Sequence, residues 1–162
     1  QLILDGTGFI PISNGSISIS ELSQNTILTP HHAEFAAIFN TSINEVKENP
    51  IGSVKRIIPD LNGRVLILKG APTIICNSTG NIEICNFGNS ILATAGIGDV
   101  LSGILGGLVA QGYSIDDAAR IGVFLHSTAG LIFADTISER GMCASDLSEF
   151  IPIAWQELLD EI

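Results

Sequence analysis

Basic residues are scarce in this sequence: seven lysines and arginines stand against 17 aspartates and glutamates, for a formal net charge of −10. The sequence has no run of Lys or Arg that could bind a phosphate backbone, which argues against nucleic acid as a partner. A nucleotide would need local neutralisation by backbone N–H groups, a lysine and a metal ion. Charged residues make up only 15% of the chain and hydrophobic residues 46%. Because so little of the surface is polar, we expect the protein to associate as a homo-oligomer.

Cysteine is also rare. The three cysteines, Cys76, Cys85 and Cys143, are widely spaced and form no C-x-x-C pair, which excludes a disulfide framework and a zinc knuckle. We interpret them as small core residues in a reduced, cytoplasmic setting. The sequence also has neither a signal peptide nor an initiator methionine at its start, so we expect it to begin inside a longer gene product.

One stretch, residues 91–110, is apolar enough to suggest a membrane span, with Asp99 as its single charged residue. An aspartate near the centre of such a span costs about 2.5–3.5 kcal/mol on insertion. The stretch is also rich in glycine, and no Lys or Arg brackets it. We therefore predict that the protein does not enter a membrane.

The apolar runs and turn signals predict one α/β domain over residues 1–162, with the strands first and most of the helical residues towards the end. Buried strands are predicted at residues 2–4, 27–28 and 65–68, and a β-hairpin at residues 73–76 and 82–85. Residues 13–25 read as a loop with one helical turn. Helices are predicted at 34–39, 42–48, 53–58 (ended by Pro59), 98–110, 114–137 and from Ser145 onward, where Pro152 must sit early or cause a kink.

A glycine-rich turn, residues 93–99 (ATAGIGD), leads directly into an amphipathic helix. Unpaired N–H groups and the positive end of the helix dipole make such a turn an anion site. Asp99 has two possible uses there. It is either a helix cap or a general base that takes a hydroxyl proton beside a transferring phosphoryl group. The glycines favour the second use, because a cap does not require them.

Residues 92–103 (LATAGIGDVLSG), followed by Ala-Gln-Gly at 110–112, resemble the signature of NAD(P)H-hydrate dehydratases, a family of the ribokinase-like class. Ala95 and Ile97 depart from the family's Gly and Ser, which implies slower turnover rather than lost binding. Further segments resemble the family in the same order, and the resemblance covers about residues 2–152: 29–34 (TPHHAE), 68–73 (LKGAPT), 86–89 (NFGN), 125–130 (LHSTAG) and 144–147 (ASDL).

The resemblance implies a ribokinase-like α/β fold, with a mostly parallel central sheet flanked by helices, whose N-terminal part is missing from this chain. It implies that Asp99 is the catalytic base and contacts the substrate, and that His31 contacts the hydrated nicotinamide. Asp5 and Asn89 are possible substrate or metal ligands, although the metal ligands are not specified. His126 is interpreted as a structural histidine. The residues implied to bind the nucleotide are Lys69, Gly70, Ala71, Pro72, Thr73, Gly96 and Gly98.

The implied reaction is the dehydration of hydrated NADH or NADPH, with ADP or ATP as phosphoryl donor and Mg²⁺ as cofactor. An NAD(P)H-hydrate epimerase, fused or separate, is an implied partner. Two alternatives remain open. One is a ribokinase-like kinase that phosphorylates a vitamin precursor, and the other is a nucleotide-binding homologue without catalysis.

Overall fold

The computed structural model of the protein describes residues 1–87 and 90–160. A five-stranded sheet runs in the order of the sequence, so that each strand neighbours the next. The first two pairings are parallel and the last two are antiparallel. The last pairing is the predicted hairpin, whereas the antiparallel pairing before it was not predicted. The strands are β1 (Leu2–Leu4), β2 (Thr26–Leu28), β3 (Val65–Leu68), β4 (Thr73–Cys76) and β5 (Ile82–Cys85).

Seven α-helices accompany the sheet in the described part of the chain: α1 (Ile10–Ser13), α2 (His32–Ile38), α3 (Ile43–Glu48), α4 (Pro50–Leu61), α5 (Ile97–Ala110), α6 (Ile115–Thr136) and α7 (Ala144–Asp160). The single turn expected within residues 13–25 is a 3₁₀ helix at Ile19–Glu21. Ser114 begins α6 as predicted, because its hydroxyl accepts the N–H of Asp117 at 3.1 Å.

Strand β3 is buried on both faces, as its unbroken apolar run predicted. Leu66 and Leu68 pack into a core with residues of α2, α3 and α4. Val65 and Ile67 face the opposite side and pack against α5 and α6. A further apolar cluster joins α6 to α7. The result is the predicted α/β arrangement, with helices covering both faces of the sheet.

The predicted end of α4 was wrong. The helix continues through Pro59 to Leu61, and the left-handed Asn62 follows it. Pro59 is exposed, so the carbonyl group that loses its helical partner lies on the solvent side, where water can hydrate it. Pro152 likewise lies inside α7 on an exposed position rather than near its start.

The carboxyl ends of the three parallel strands meet at one edge of the sheet. Asp5 follows β1, His31 lies shortly after β2, and Lys69 follows β3. A parallel bridge between His31 and Lys69 continues the strand pairing at this edge. Open α/β sheets bind their ligands at such an edge. Within residues 1–87 and 90–160, none of the helices has the length and apolar character needed to cross a membrane.

Candidate active site

A cavity of about 550 Å³ opens at this edge of the sheet, between the loop after β3 and the glycine-rich turn before α5. Its walls are largely apolar, and its polar groups come from both loops and from α6. Six of the residues proposed from the sequence line it: His31, Lys69, Gly70, Ala71, Thr73 and Gly98. The other lining residues are Ser90, Leu92, Ala93, Thr94, Ile97, Leu101, Val123, His126 and Ser127.

An ion pair lies at the base of this edge. Lys69 Nζ donates to Asp5 Oδ1 at 2.6 Å, and the Ser102 hydroxyl donates to Asp5 Oδ2 at 3.1 Å. Burial alone would raise the pKa of Asp5, but the hydrogen bond and charge of Lys69, with the hydroxyls of Thr29 and Ser102, lower it overall. Asp5 is therefore held as a carboxylate that ties together β1, β3 and α5.

The glycine-rich turn packs directly against this ion pair. A Cβ atom on Gly98 would lie 3.3 Å from Lys69 Nζ and 3.4 Å from Asp5 Oδ2. Gly96 caps α5 at φ 84°, a left-handed conformation that favours glycine. A Cβ on Gly96 would also lie 3.1 Å from the Cβ of Ala144. The turn therefore needs glycine at Gly96 for its conformation and at Gly98 for the close approach of Lys69.

The two departures from the family pattern fit this geometry. Among the described non-glycine residues, only Asn40 and Asn62 have a positive φ, so Ala95 adopts an ordinary conformation. Ile97 is 3% exposed and packs with Leu125 in the core beneath α6. Its side chain also lines the cavity. The isoleucine therefore replaces a possible phosphate contact with an apolar wall and leaves the backbone N–H groups in position.

The loop from Lys69 to Thr73 connects β3 to β4 and is fixed at both ends. The Lys69 N–H donates to Pro30 O at 2.8 Å, and the Thr73 hydroxyl donates to Gly70 O at 3.0 Å. The peptide bond between Ala71 and Pro72 is cis. Lys69, Gly70, Ala71 and Thr73 line the cavity, whereas Pro72 is not among its lining residues.

His31 has a structural role that the sequence reasoning missed. It is the N-cap of α2, and its Nδ1 accepts the N–H groups of Ala33 and Glu34 at 3.2 and 3.1 Å. Glu34 Oε2 accepts the N–H of His31 at 2.8 Å, which completes a capping box. The imidazole is 54% exposed and also lines the cavity. His31 therefore orders α2 and faces the cavity at the same time.

Asp99 lies in the first turn of α5, where its carboxylate is exposed. It does not cap the helix, because the N-cap is Gly96. Asp99 also lies outside the set of described residues that line the cavity. It therefore stands beside the cavity rather than within it, with its charge at the favourable end of the helix dipole.

The candidate metal and substrate ligands are only partly described. Asn89 falls outside residues 1–87 and 90–160. Within those ranges, no group of three His, Cys, Asp or Glu residues could hold a metal ion by itself. Mg²⁺ commonly uses one or two carboxylates together with substrate phosphates and water. Asp5 and Asp99 supply that number of carboxylates near the glycine-rich turn, so the residues present fit a phosphate-bound ion.

The family model for NAD(P)H-hydrate dehydratase matches residues 1–153 of this chain. The chain belongs to this family. A dehydratase relative, the ADP-dependent (S)-NAD(P)H-hydrate dehydratase of Neisseria meningitidis, is 39% identical over 133 residues, which are 81% of this chain and 43% of that protein. Bifunctional NAD(P)H-hydrate repair enzymes also match, and the chain spans only 25–30% of their length.

Two solved structures support the same assignment. The Bacillus subtilis ADP/ATP-dependent NAD(P)H-hydrate dehydratase, co-crystallised with ATP and Mg²⁺, is 30% identical with a TM-score of 0.76, over 82% of this chain and 47% of that chain. A ribokinase-like superfamily protein of Enterococcus faecalis is 26% identical with a TM-score of 0.78, over 95% of this chain and 52% of that one. The chain thus has the fold of ribokinase-like dehydratases over about half their length.

Several site residues of this dehydratase family member were not proposed from its sequence. Ser102 lies 97 positions from the Asp5 carboxylate that it contacts, and no local pattern signals such a contact. Ser90, Thr94 and Ser127 also line the cavity. Thr94 and Ser127 lie in the family-like segments 92–103 and 125–130, but the resemblance assigned them no role, and Ser90 lies outside every such segment. His126 lies in the family-like segment 125–130, and it lines the cavity in addition to the structural role expected of it.

Proposed function

We propose that this chain supplies the nucleotide-binding half of an ADP- or ATP-dependent NAD(P)H-hydrate dehydratase. The observation that carries the proposal is the meeting of two loops. Lys69, from the loop after β3, reaches within 3.3 Å of the position that a Cβ on Gly98 would occupy. A lysine ammonium group beside the first turn of a helix is the arrangement that a nucleotide phosphate requires, because the ammonium group and the unpaired first-turn N–H groups both favour an anion.

In this proposal the loop from Lys69 to Thr73 binds the nucleotide, and the turn at Gly96 and Gly98 stabilises the transferring phosphoryl group. The N–H groups of the α5 first turn and the Lys69 ammonium group oppose the negative charge that develops during transfer. Mg²⁺, with Asp5 as one protein ligand, would neutralise further phosphate charge. The largely apolar cavity wall would exclude water from the phosphoryl group.

Asp99 is proposed as the base, and its exposed carboxylate beside the glycine-rich turn supports this assignment. It would take the proton of the substrate hydroxyl as the hydroxyl oxygen bonds to the terminal phosphorus of the nucleotide. The bond from that phosphorus to the bridging oxygen would break at the same time, which releases AMP from ADP or ADP from ATP. The phosphate ester would then leave the nicotinamide ring as inorganic phosphate, a far better leaving group than hydroxide, and the ring would lose a proton to restore its double bond. His31, which lines the cavity, is proposed to contact the hydrated nicotinamide.

The full natural protein is proposed to act in the cytoplasm as a homo-oligomer, with an NAD(P)H-hydrate epimerase as a fused or separate partner. The low content of charged residues, 15%, supports the association. The bifunctional relatives support a second activity in the same repair process.

The test is the recovery of NADH absorbance from chemically hydrated NADH with ADP or ATP and Mg²⁺. We expect the full natural protein to restore the absorbance and Asp99→Asn to lose most of that activity. Gly103→Ala is the matched control in the same helix, since a Cβ there meets nothing within 4 Å. Tight nucleotide binding without any recovery would contradict the proposal and favour a vitamin-precursor kinase or a non-catalytic binding protein.

A further inference from the structure

His126 connects helix α6 to the first turn of α5. Its Nε2 atom lies 3.1 Å from the carbonyl oxygen of Ile97. Ile97 is the first residue of α5 and immediately precedes Gly98. The contact joins residues 29 positions apart in the sequence. A side chain of α6 therefore holds the backbone of the glycine-rich turn directly.

The contact shows which imidazole nitrogen carries a hydrogen, and the surroundings of the ring decide its charge. A carbonyl oxygen can only accept, so Nε2 of His126 carries the hydrogen and donates it. Burial lowers the pKa of His126, the bond to Ile97 opposes this effect, and the nearby charge of Lys69 lowers the pKa further. His126 is therefore neutral at neutral pH, and its Nδ1 is an unprotonated acceptor.

The geometry of a peptide unit extends this contact to Gly98. The Ile97 carbonyl and the Gly98 N–H belong to one planar peptide unit, and they point in opposite directions because the bond is trans. The first intrahelical bond of α5 runs from the Val100 N–H to Gly96 O. The Gly98 N–H precedes that bond and so belongs to the first-turn donors that have no intrahelical acceptor. Helix α5 already restrains this peptide unit from the C-terminal side, and the bond from His126 adds a second restraint on the Ile97 carbonyl and therefore on the direction of the Gly98 N–H.

We propose that His126 is a positioning residue that aims the Gly98 N–H at the phosphate bound in the cavity. The inference rests on the proposed function, because it assumes that an anion occupies the space beside Lys69. His126 lines the same cavity as Lys69 and Gly98, so it acts at the wall of the site. Its flanking residues Leu125 and Ser127 are 1% and 4% exposed, which holds this segment of α6 in place.

The test compares His126→Leu with His126→Gln. Leucine fills the space but cannot donate, whereas the glutamine amide can donate to Ile97 O from about the position of Nε2. The probe is ADP with Mg²⁺, and its affinity is measured by isothermal titration calorimetry. We expect His126→Leu to bind roughly fivefold to tenfold more weakly, as loss of one hydrogen bond predicts. His126→Gln is expected to remain within about twofold of the wild type.

A second measurement does not depend on a ligand. In ¹⁵N-labelled protein, the Gly98 amide resonance is expected to move in His126→Leu and to stay close to its wild-type position in His126→Gln. Unchanged Gly98 resonance and ADP affinity in a folded His126→Leu variant would overturn the inference. Equal losses of affinity and melting temperature in both variants would also overturn it, because they would indicate packing alone. Failure of the wild type itself to bind ADP, with the Gly98 shift intact, would instead overturn the proposed function.

Discussion

Lys69 and Asp5 form a 2.6 Å ion pair across the carboxyl end of the sheet, linking β1 and β3 over the intervening β2. Their side chains are 22% and 17% exposed. The Arg56–Glu45 pair has the same 2.6 Å separation, but its side chains are 58% and 44% exposed. In each pair the carboxylate also accepts a hydroxyl group, from Ser102 or from Thr41. The protein thus contains two ion pairs of similar composition that differ mainly in burial.

We expect Asp5→Asn to lower the free energy of unfolding by about 1–3 kcal/mol, because it leaves a mostly buried lysine without its counter-charge. Glu45→Gln is the control, and it should cost distinctly less than Asp5→Asn because water screens that pair. Urea denaturation at pH 7 measures both changes. Equal costs for the two variants would show that burial does not strengthen the Asp5–Lys69 pair.

The same pair should give the protein an acid sensitivity. Because the pKa of Asp5 is lowered in the folded state, its contribution to stability is present above the ordinary carboxyl pKa and is lost as the pH falls through the lowered value. The stability curve of Asp5→Asn should therefore be flatter than that of the wild type below about pH 4. If the free energies of unfolding of the two proteins fall in parallel as the pH is lowered, this expectation is contradicted.

Gly98→Ala tests the close approach of Lys69 to the glycine-rich turn. The added methyl group would lie 3.3 Å from Lys69 Nζ, so the ammonium group must move. We expect ADP affinity to fall roughly tenfold, which corresponds to about 1.4 kcal/mol. Gly103→Ala, in the same helix, should leave affinity unchanged and raise stability by about 0.5–1 kcal/mol. Calorimetric titration with ADP would refute the role of Gly98 if the two variants bind alike.

Substitutions at His31 can separate its capping role from its proposed contact with the substrate. His31→Ala removes the acceptor for the Ala33 and Glu34 N–H groups and should cost about 1 kcal/mol of stability. His31→Asn keeps a good N-cap and should melt near the wild-type temperature. Both variants should raise KM for hydrated NADH. If His31→Asn keeps the wild-type KM, His31 acts only as a helix cap and does not contact the substrate.

His32 offers a prediction about pH. Burial lowers the pKa of His32, and the nearby charges of Lys47 and His31 lower it further. Burial also lowers the pKa of His126, which Lys69 lowers further, although the bond to Ile97 opposes these effects. The stability that His32 and His126 contribute as neutral side chains is fully present above the ordinary pKa of 6.5. It is lost as the pH falls through their lowered pKa values, because the unfolded chain then binds more protons. We expect the free energy of unfolding to be lower at pH 5 than at pH 7.5.

Replacing His32 by proline should reduce the fall in the free energy of unfolding between pH 7.5 and pH 5. His32 is the first residue of α2, where the N–H has no helical partner and proline is favoured. His31 has φ −81° and ψ 173°, which suits a residue before proline. Ala33→Pro is the control, and it should destabilise the protein because the Ala33 N–H donates to His31. Equal pH dependence in the wild type and His32→Pro would contradict the assignment to His32.

Local signals predicted the parts of the fold whose cause is local. The run at residues 65–68 and the turn chemistry between Cys76 and Ile82 identified a central strand and its hairpin without further information. Pro59 misled the prediction because the effect of a proline depends on whether its helix face meets solvent. Which face of the helix meets solvent depends on how the helix packs in the folded protein.

The site was predictable where a strand end delivers a residue, as with Asp5 and Lys69, because parallel strands end at a common edge. The contacts of Ser102 with Asp5 and of His126 with Ile97 depend on how α5 and α6 cross the sheet. No periodicity within either helix specifies that crossing. The dual use of His31 was likewise hidden, because a histidine is an unusual N-cap.

Because Lys69 is paired with Asp5, an anion that binds in the cavity exchanges with Asp5 as the partner of the Lys69 ammonium group. A phosphate that takes the ammonium group of Lys69 must compete with Asp5, so the measured affinity is net of the ion pair that is broken. By linkage, the same competition acts in reverse: the more firmly β1 is tied to β3, the weaker the anion binds. A phosphate bound without Mg²⁺ would thus loosen the end of β1, and the amide hydrogens of β1 should then exchange faster.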